Sequence, residues 1–269
     1  MARDDYAFGE AGAAVEEQVR DQLQKEVRLF ERAVDLAKAA IGSAALAEAD
    51  RQRVIATGLL GRLLRLSEAG VLLTLRGLEH DAAILIRAAV ELYVKLRHCA
   101  LDPDFHRRYV DADLYRRRKL ANGSLSLPDL PKVRKTSLEE AKRELQAEID
   151  GRGAKELPGI EQLCTDAGCA RDYQSVFRIT SAAVHTAPRV LNDLVEMKDG
   201  RLVGFDFGPR AAKANSYILT LAEYLLRATR DFQNLMGSKA PSEEFQQMWI
   251  EQQEACAGLA QAGEAEEEV

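Results

Sequence analysis

The segment between Asp81 and Cys99 constrains the fold more than any other, because apolar residues recur on nearly every side of the helix that it would form. The residues concerned are Ile84, Leu85, Ile86, Val90, Leu92, Val94 and Leu96. A helix that is apolar all round must be covered by other elements on all sides. We therefore predict that this helix lies in the middle of a helical bundle.

Long amphipathic helices are predicted before and after this segment. Residues 13–41 and 209–236 place apolar residues mostly three or four positions apart, which is typical of a helix with one buried face. Residues 47–75 show the same spacing but contain Gly58, Gly61 and Gly70. Each glycine lowers helix stability by about 1 kcal/mol relative to alanine, unless close packing requires it.

The rest of the chain predicts shorter elements. Residues 122–131 read as an irregular connection, and Ser137 with Glu140 forms a capping-box pattern that starts a helix to about Ile149. Asp199-Gly200 between apolar runs predicts a two-stranded hairpin at most. The predicted architecture is one all-α domain over residues 1–236, followed by a C-terminal helix and a disordered acidic tail over 237–269.

Composition limits the class of protein. The formal net charge is −6, so the whole molecule repels nucleic acid, and any RNA must bind at a local basic patch. Residues 1–6 lack the apolar core of a signal peptide, and no run is long enough to span a membrane. The four cysteines and four histidines show no metal-ligand spacing. We expect a soluble, cytoplasmic protein without a metal or cofactor.

The strongest functional signal lies in a helix predicted over residues 171–187 and stopped by Pro188. One face of this helix carries polar side chains, which are Gln174, Arg178, Ser181 and His185. A neighbouring face, which also includes Ile179, carries mostly small residues, Ser175, Ala182 and Thr186, which would allow a second chain or helix to approach closely.

Arg178 and His185 together could act on a phosphodiester. An imidazole with an ordinary pKa near 6.5 exchanges protons at neutral pH, and a guanidinium binds phosphate in a bidentate manner. Alternatively, His185 is only the polar end of a helix, where a partly charged imidazole complements the helix dipole.

A basic stretch from Phe105 to Lys119 is a second functional candidate. Its basic and aromatic residues would hold an RNA strand by phosphate contacts and base stacking; the residues concerned are Arg107, Arg108, Tyr115, Arg116, Arg117, Arg118 and Lys119. The alternative is a solvated helix face. Within the central helix, Arg87 and Glu91 are four apart, and they form either a buried structural ion pair or part of a site in the bundle interior.

The motif Arg178-x6-His185 in an all-helical chain resembles the Arg-x4-6-His motif of the HEPN superfamily (higher eukaryotes and prokaryotes nucleotide-binding). Residues 85–94, the tyrosine- and arginine-rich helix after them, and Ser181-Ala-Ala-Val-His-Thr are similar to the bacterial family domain of unknown function 5677, over roughly Leu60 to Met236. The resemblance implies a HEPN-like bundle and a dimeric, metal-independent endoribonuclease of toxin–antitoxin or anti-phage systems. It implies Arg178 and His185 as the catalytic pair, with Ser181 as a supporting polar residue.

Two functions from different classes follow. The first is a homodimeric endoribonuclease that binds RNA and acts as a toxin or anti-phage effector, with an antitoxin or another protein as a partner. The second is a non-catalytic helical interaction or regulatory module. Ile179 favours the second, because active HEPN proteins usually carry a polar residue directly after the arginine.

Overall fold

The structure is a computed structural model that describes residues 7–47, 49–185, 188–238 and 240–267. Residues 1–6 and Thr186, both used in the sequence predictions, lie outside this set. The elements in chain order are α1 (Glu10–Gln22), α2 (Gln24–Gly42), α3 (Arg51–Leu75), α4 (Glu79–Leu101), α5 (Phe105–Leu125), α6 (Lys132–Arg152), α7 (Ile160–Asp166), α8 (Ala170–Asp172), a π-helix (Tyr173–Phe177), α9 (Arg178–Val184), α10 (Pro188–Asn192), β1 (Val195–Lys198), β2 (Arg201–Phe205), α11 (Ala214–Leu235) and α12 (Glu243–Glu267). The predicted all-α fold with one small hairpin is confirmed.

Helix α4 lies at the centre of the bundle, as its apolar pattern predicts. It packs against α3, α11 and α9, and Ile86, Val90 and Val94 are buried. Gly70 of α3 is a close-packing glycine, because a Cβ atom there would lie 2.7 Å from Leu221 Cδ1 of α11. Gly58 has no such neighbour within 4 Å, so close packing explains only part of the glycine pattern.

Several predicted boundaries are wrong. The helix predicted over residues 13–41 is divided at Leu23 into α1 and α2. α3 begins only after Asp50, whose carboxylate accepts the Arg53 N–H at 3.1 Å and caps the helix. α5 continues to Leu125, into the predicted irregular connection.

The predicted capping box at Ser137 is also wrong. α6 begins directly after Pro131, whose extended backbone precedes the first turn, so Ser137 lies inside the helix. α6 packs antiparallel on α5 around a small second core of Leu114, Leu145, Ile149 and Ala154. The two helices therefore form a hairpin with a core of its own.

The C-terminal helix α12 packs against α2 and α11 and contributes Met248 to the main core. It continues to Glu267, through most of the segment predicted to be disordered. β1 and β2 form the predicted antiparallel hairpin, and Asp199 and Gly200 both have positive φ at its turn. Among the described helices, none is long and apolar enough to cross a membrane.

Candidate functional site

The segment that carries Arg178 and His185 is a continuous helical run with an irregularity in its middle. α8, the π-helix and α9 follow one another without a break, so the prediction of one regular helix missed five π-helical residues. Phe177, the last π-helical residue, is buried, and so is Thr180. π-Helical turns occur frequently at functional sites. Here the irregular turn ends directly before Arg178.

Arg178 and His185 are both exposed, and Ser181 between them is half-buried. Arg178 Nη1 donates a hydrogen bond to Gln174 Oε1 at 2.9 Å. His185 lies at the C-terminal cap of α9, where its backbone N–H donates to the Ser181 carbonyl at 3.2 Å. The Ser181 hydroxyl donates to the Phe177 carbonyl at 2.6 Å, so its proton serves the helix backbone. The arginine and the imidazole are thus both accessible to a ligand.

Three charged residues, Arg87, Glu91 and Lys95, form a stripe along α4 that begins beneath this segment. The Arg87 guanidinium lies over the Phe177 ring, with its central carbon 4.7 Å from the ring centroid. Glu91 accepts a hydrogen bond from Lys95 Nζ at 3.5 Å and forms a longer ion pair with Arg87 Nη2 at 3.9 Å. Because the Arg87 and Glu91 side chains are 24% and 34% exposed, the predicted buried pair is a partly exposed triad.

The other end of the stripe opens into a groove beside α5. The groove has a volume of about 300 Å³, and its basic residues are Lys95, Arg116 and Lys119, opposed by Glu91 and Glu156. Arg178 and His185 do not line this groove. Glu91 and Lys95 belong to both the stripe and the groove, so the stripe runs from Phe177 to the groove beside α5.

The predicted RNA-binding residues of α5 divide into two groups. Arg107, Arg116, Arg117 and Lys119 are exposed and have no salt-bridge partner among the described residues. Arg108 pairs with Asp102.

Arg118 and Tyr115 also serve the fold. Arg118 lies over the Tyr115 ring at 5.0 Å and donates to Gln146 of α6. The Tyr115 hydroxyl donates to the Ala154 carbonyl at 2.6 Å. Both side chains therefore hold α5 against α6 and the residues that follow it. The hydrogen bond to Ala154 limits how freely the Tyr115 ring can stack on a base.

A largely buried ionic cluster between α8 and α11 was not predicted from the sequence; the Arg227 and Asp172 side chains are 20% and 15% exposed. Arg227 donates to both oxygens of the Asp172 carboxylate, at 2.7 and 2.9 Å, and the Tyr224 hydroxyl donates to it at 2.9 Å. Arg227 also contacts Glu223 at 3.2 Å. Arg227 lies on the polar face of α11, with Glu223 and Asp231 four positions away on either side, so the sequence contains no signal of a partner in α8.

Burial and pairing act in opposite directions on the pKa values of this cluster. Burial alone would raise the pKa of Asp172, but the hydrogen bonds and charge of Arg227 hold that pKa below its ordinary value. Burial would lower the pKa of Arg227, whereas the bond to Asp172 raises it. The pair is therefore fully ionised at neutral pH.

Three of the cysteines are buried, and Cys169 borders the ionic cluster, with its Sγ 3.9 Å from Arg227 Nη2. Cys99, Cys164 and Cys169 are buried as free thiols, and burial raises the pKa of both Cys99 and Cys164 to about 12. Both thiols are protonated at neutral pH and are therefore poor nucleophiles. Within the described part of the chain, no group of three His, Cys, Asp or Glu side chains is placed to hold a metal ion.

The protein is thus an α-helical bundle in which one helix carries an exposed arginine and an exposed histidine on its polar face. A family model described as "Family of unknown function (DUF5677)" matches residues 53–202. This match covers more than half of the chain, from α3 into β2, so the chain belongs to that family. No curated protein and no solved structure matches the chain significantly.

Proposed function

We propose that this protein is a HEPN-like endoribonuclease that cleaves RNA without a metal ion, with Arg178 and His185 as its catalytic pair. One observation carries the proposal: both side chains are exposed on one continuous helix, directly after the π-helical turn. The His185 backbone caps the end of α9, and among the described residues the Arg178 side chain bonds only to the neutral amide of Gln174. Arg178 can therefore exchange that amide for a phosphate oxygen without breaking a salt bridge.

The chemistry follows from the two side chains. His185 accepts the proton of a ribose 2′-hydroxyl, and the 2′-oxygen attacks the adjacent phosphorus. Arg178 stabilises the negative charge that develops on the non-bridging oxygens. The bond to the 5′-oxygen breaks, and the leaving oxygen takes up a proton. The products carry 2′,3′-cyclic phosphate and 5′-hydroxyl ends, and DNA is not a substrate because it has no 2′-hydroxyl.

The strand would approach along the exposed cations of α5. Arg116 and Lys119 line the groove whose other wall includes Glu91 and Lys95 of the stripe. A phosphate backbone in this groove would continue along α4 toward Phe177 and Arg178. The local positive charge on this face would attract RNA although the whole chain carries a net charge of −6.

The same proposal includes a homodimer and a role as a toxin or anti-phage effector in the cytoplasm. The β1–β2 ribbon supports a protein interface, because four of its apolar side chains are more than half exposed: Met197, Leu202, Val203 and Phe205. Exposed apolar patches of this kind commonly mark protein contacts. A second copy of α9 across a dimer would supply the proton for the leaving oxygen.

The exposed ribbon also favours a second function, a non-catalytic helical module that binds another protein. In that case the basic face of α5 would bind an acidic partner, and Arg178 would have no chemical role. Ile179, which is 67% exposed and directly follows Arg178, favours this second function, because active HEPN proteins usually carry a polar residue at that position.

The test is incubation of the purified protein with single-stranded RNA in EDTA, beside DNA of the same sequence. We expect cleavage of RNA only, with cyclic-phosphate ends, and loss of about 100-fold or more in Arg178→Ala and His185→Ala. The matched control is Arg171→Ala, which removes an exposed arginine from the same helical run. Intact RNA with folded wild-type protein, or cleavage that EDTA abolishes, would contradict the proposal; the first result favours the interaction module.

A further inference from the structure

A second groove, separate from the α9 segment, lies between α4, α11 and α12 and has a volume of about 330 Å³. One of its walls carries three arginines, Arg97, Arg227 and Arg230, and a single carboxylate, Asp231. A groove with this excess of guanidinium groups attracts anions.

The three arginines differ in how their charges are satisfied. Arg227 is neutralised by Asp172, and Arg97 contacts both oxygens of Asp231 at 3.1 and 3.2 Å. Arg230 has no salt-bridge partner among the described residues, and its Nη1 atom is buried without a hydrogen-bond partner. Because Arg230 lines the groove and its charge is unpaired among the described residues, an anionic oxygen bound there would supply the partner that it lacks.

The wall from α12 is aromatic. Phe245 and Trp249 lie one helical turn apart and stack in parallel, with ring centroids 6.2 Å apart and an angle of 7° between their planes. Trp249 is half-buried, so part of its surface remains available to a ligand. Flat rings stack on such a wall whatever their substituents.

From these two walls we infer that the groove binds a nucleotide, with its phosphate on Arg230 and Arg97 and its base against Trp249. A phosphate monoester suits the guanidinium groups, and a purine or pyrimidine suits the aromatic wall. The volume lies at the lower end of the roughly 300–1,000 Å³ that small-molecule sites occupy. This inference does not depend on ribonuclease activity, because none of the groove residues belongs to the α9 segment.

Calorimetric titration of the full chain with adenosine 5′-monophosphate tests the inference, with adenosine and inorganic phosphate as separate ligands. We expect the nucleotide to bind, and each fragment to bind at least about tenfold more weakly, because each contacts only one wall. Trp249 is the only tryptophan of the chain, so its fluorescence should change on nucleotide binding. No nucleotide binding, or phosphate binding as tightly as the nucleotide, would overturn the inference.

Two matched variants locate the site. Arg230→Gln removes the guanidinium without breaking a salt bridge and should weaken nucleotide binding about tenfold or more. Arg65→Gln removes an exposed arginine from α3 and should bind as the wild type does. Thermal unfolding checks that both variants are folded. Equal affinity of folded Arg230→Gln and wild type would overturn the assignment of this groove.

Discussion

Two regions on the same helical run use charged side chains in opposite ways. Asp172 of α8 accepts three hydrogen bonds, two from Arg227 and one from Tyr224. Arg178 begins α9 six residues later and is exposed, and within the described part of the chain its guanidinium bonds only to the Gln174 amide. The first region has its charges satisfied within the chain and stabilises the fold. The second leaves its charge available to a ligand, which is the arrangement that a catalytic site requires.

The largest expected effect comes from removing the ion pair between Asp172 and Arg227. Asp172→Ala leaves Arg227 buried without its main partner, so the free energy of unfolding should fall by about 3–5 kcal/mol. Urea denaturation measures this change. Arg178→Ala is the control on the same helical run and should leave stability close to that of the wild type. Equal destabilisation by the two variants would contradict the distinction between the regions.

A smaller effect depends on pH. The pKa of Asp172 is lowered in the folded state, so its carboxylate stabilises the fold above its unfolded pKa of about 3.9, and this contribution is lost as the pH falls through the lower folded value. The stability difference between the wild type and Asp172→Asn should therefore shrink below about pH 4, by on the order of 1 kcal/mol. Urea titrations between neutral and acidic pH measure it. A difference that is independent of pH would show that the Asp172 charge is not responsible.

The same contrast between paired and unpaired charge applies on α5. Arg116 is exposed and lines the groove, whereas Arg108 pairs with Asp102. Arg116→Gln should weaken RNA binding and reduce the salt dependence of the binding constant by about one phosphate contact. Arg108→Gln should reduce it less. Fluorescence anisotropy at several salt concentrations measures both slopes, and equal slopes for the two variants would place the strand elsewhere.

The smallest effect concerns Ser181. Its hydroxyl donates to the Phe177 carbonyl, so Ser181→Ala should change the rate of RNA cleavage by less than about tenfold. Single-turnover cleavage measures this rate. A loss as large as that in His185→Ala would give Ser181 a direct part in the reaction.

Much of the fold could be predicted from local pattern, because apolar periodicity reports which helix faces are buried. The central position of α4 and the Asp199-Gly200 hairpin both follow from a few adjacent residues. The break at Leu23 has no glycine or proline to indicate it. The start of α6 at Lys132 had a local signal, because Pro131 directly precedes it and residues 132–137 are all exposed.

The candidate site shows the same limit. The sequence predicts the polar face with Arg178 and His185, but it cannot predict the π-helical turn, which shifts the register of every earlier residue. The Asp172–Arg227 pair joins residues 55 positions apart in the chain, so no local spacing indicates it. The pairing of side chains in the folded chain decides which charges remain available to a ligand. For this reason the sequence also could not predict which arginines of α5 are paired and which are not.

The most direct test of the central claim measures RNA cleavage and the free energy of unfolding on the same preparations of wild type, His185→Ala and Asp172→Asn. We expect that His185→Ala loses cleavage and keeps its stability, whereas Asp172→Asn loses stability and still cleaves RNA at temperatures where it is folded. Cleavage retained in His185→Ala, or absent from the folded wild type, would contradict the assignment of His185 as a catalytic residue.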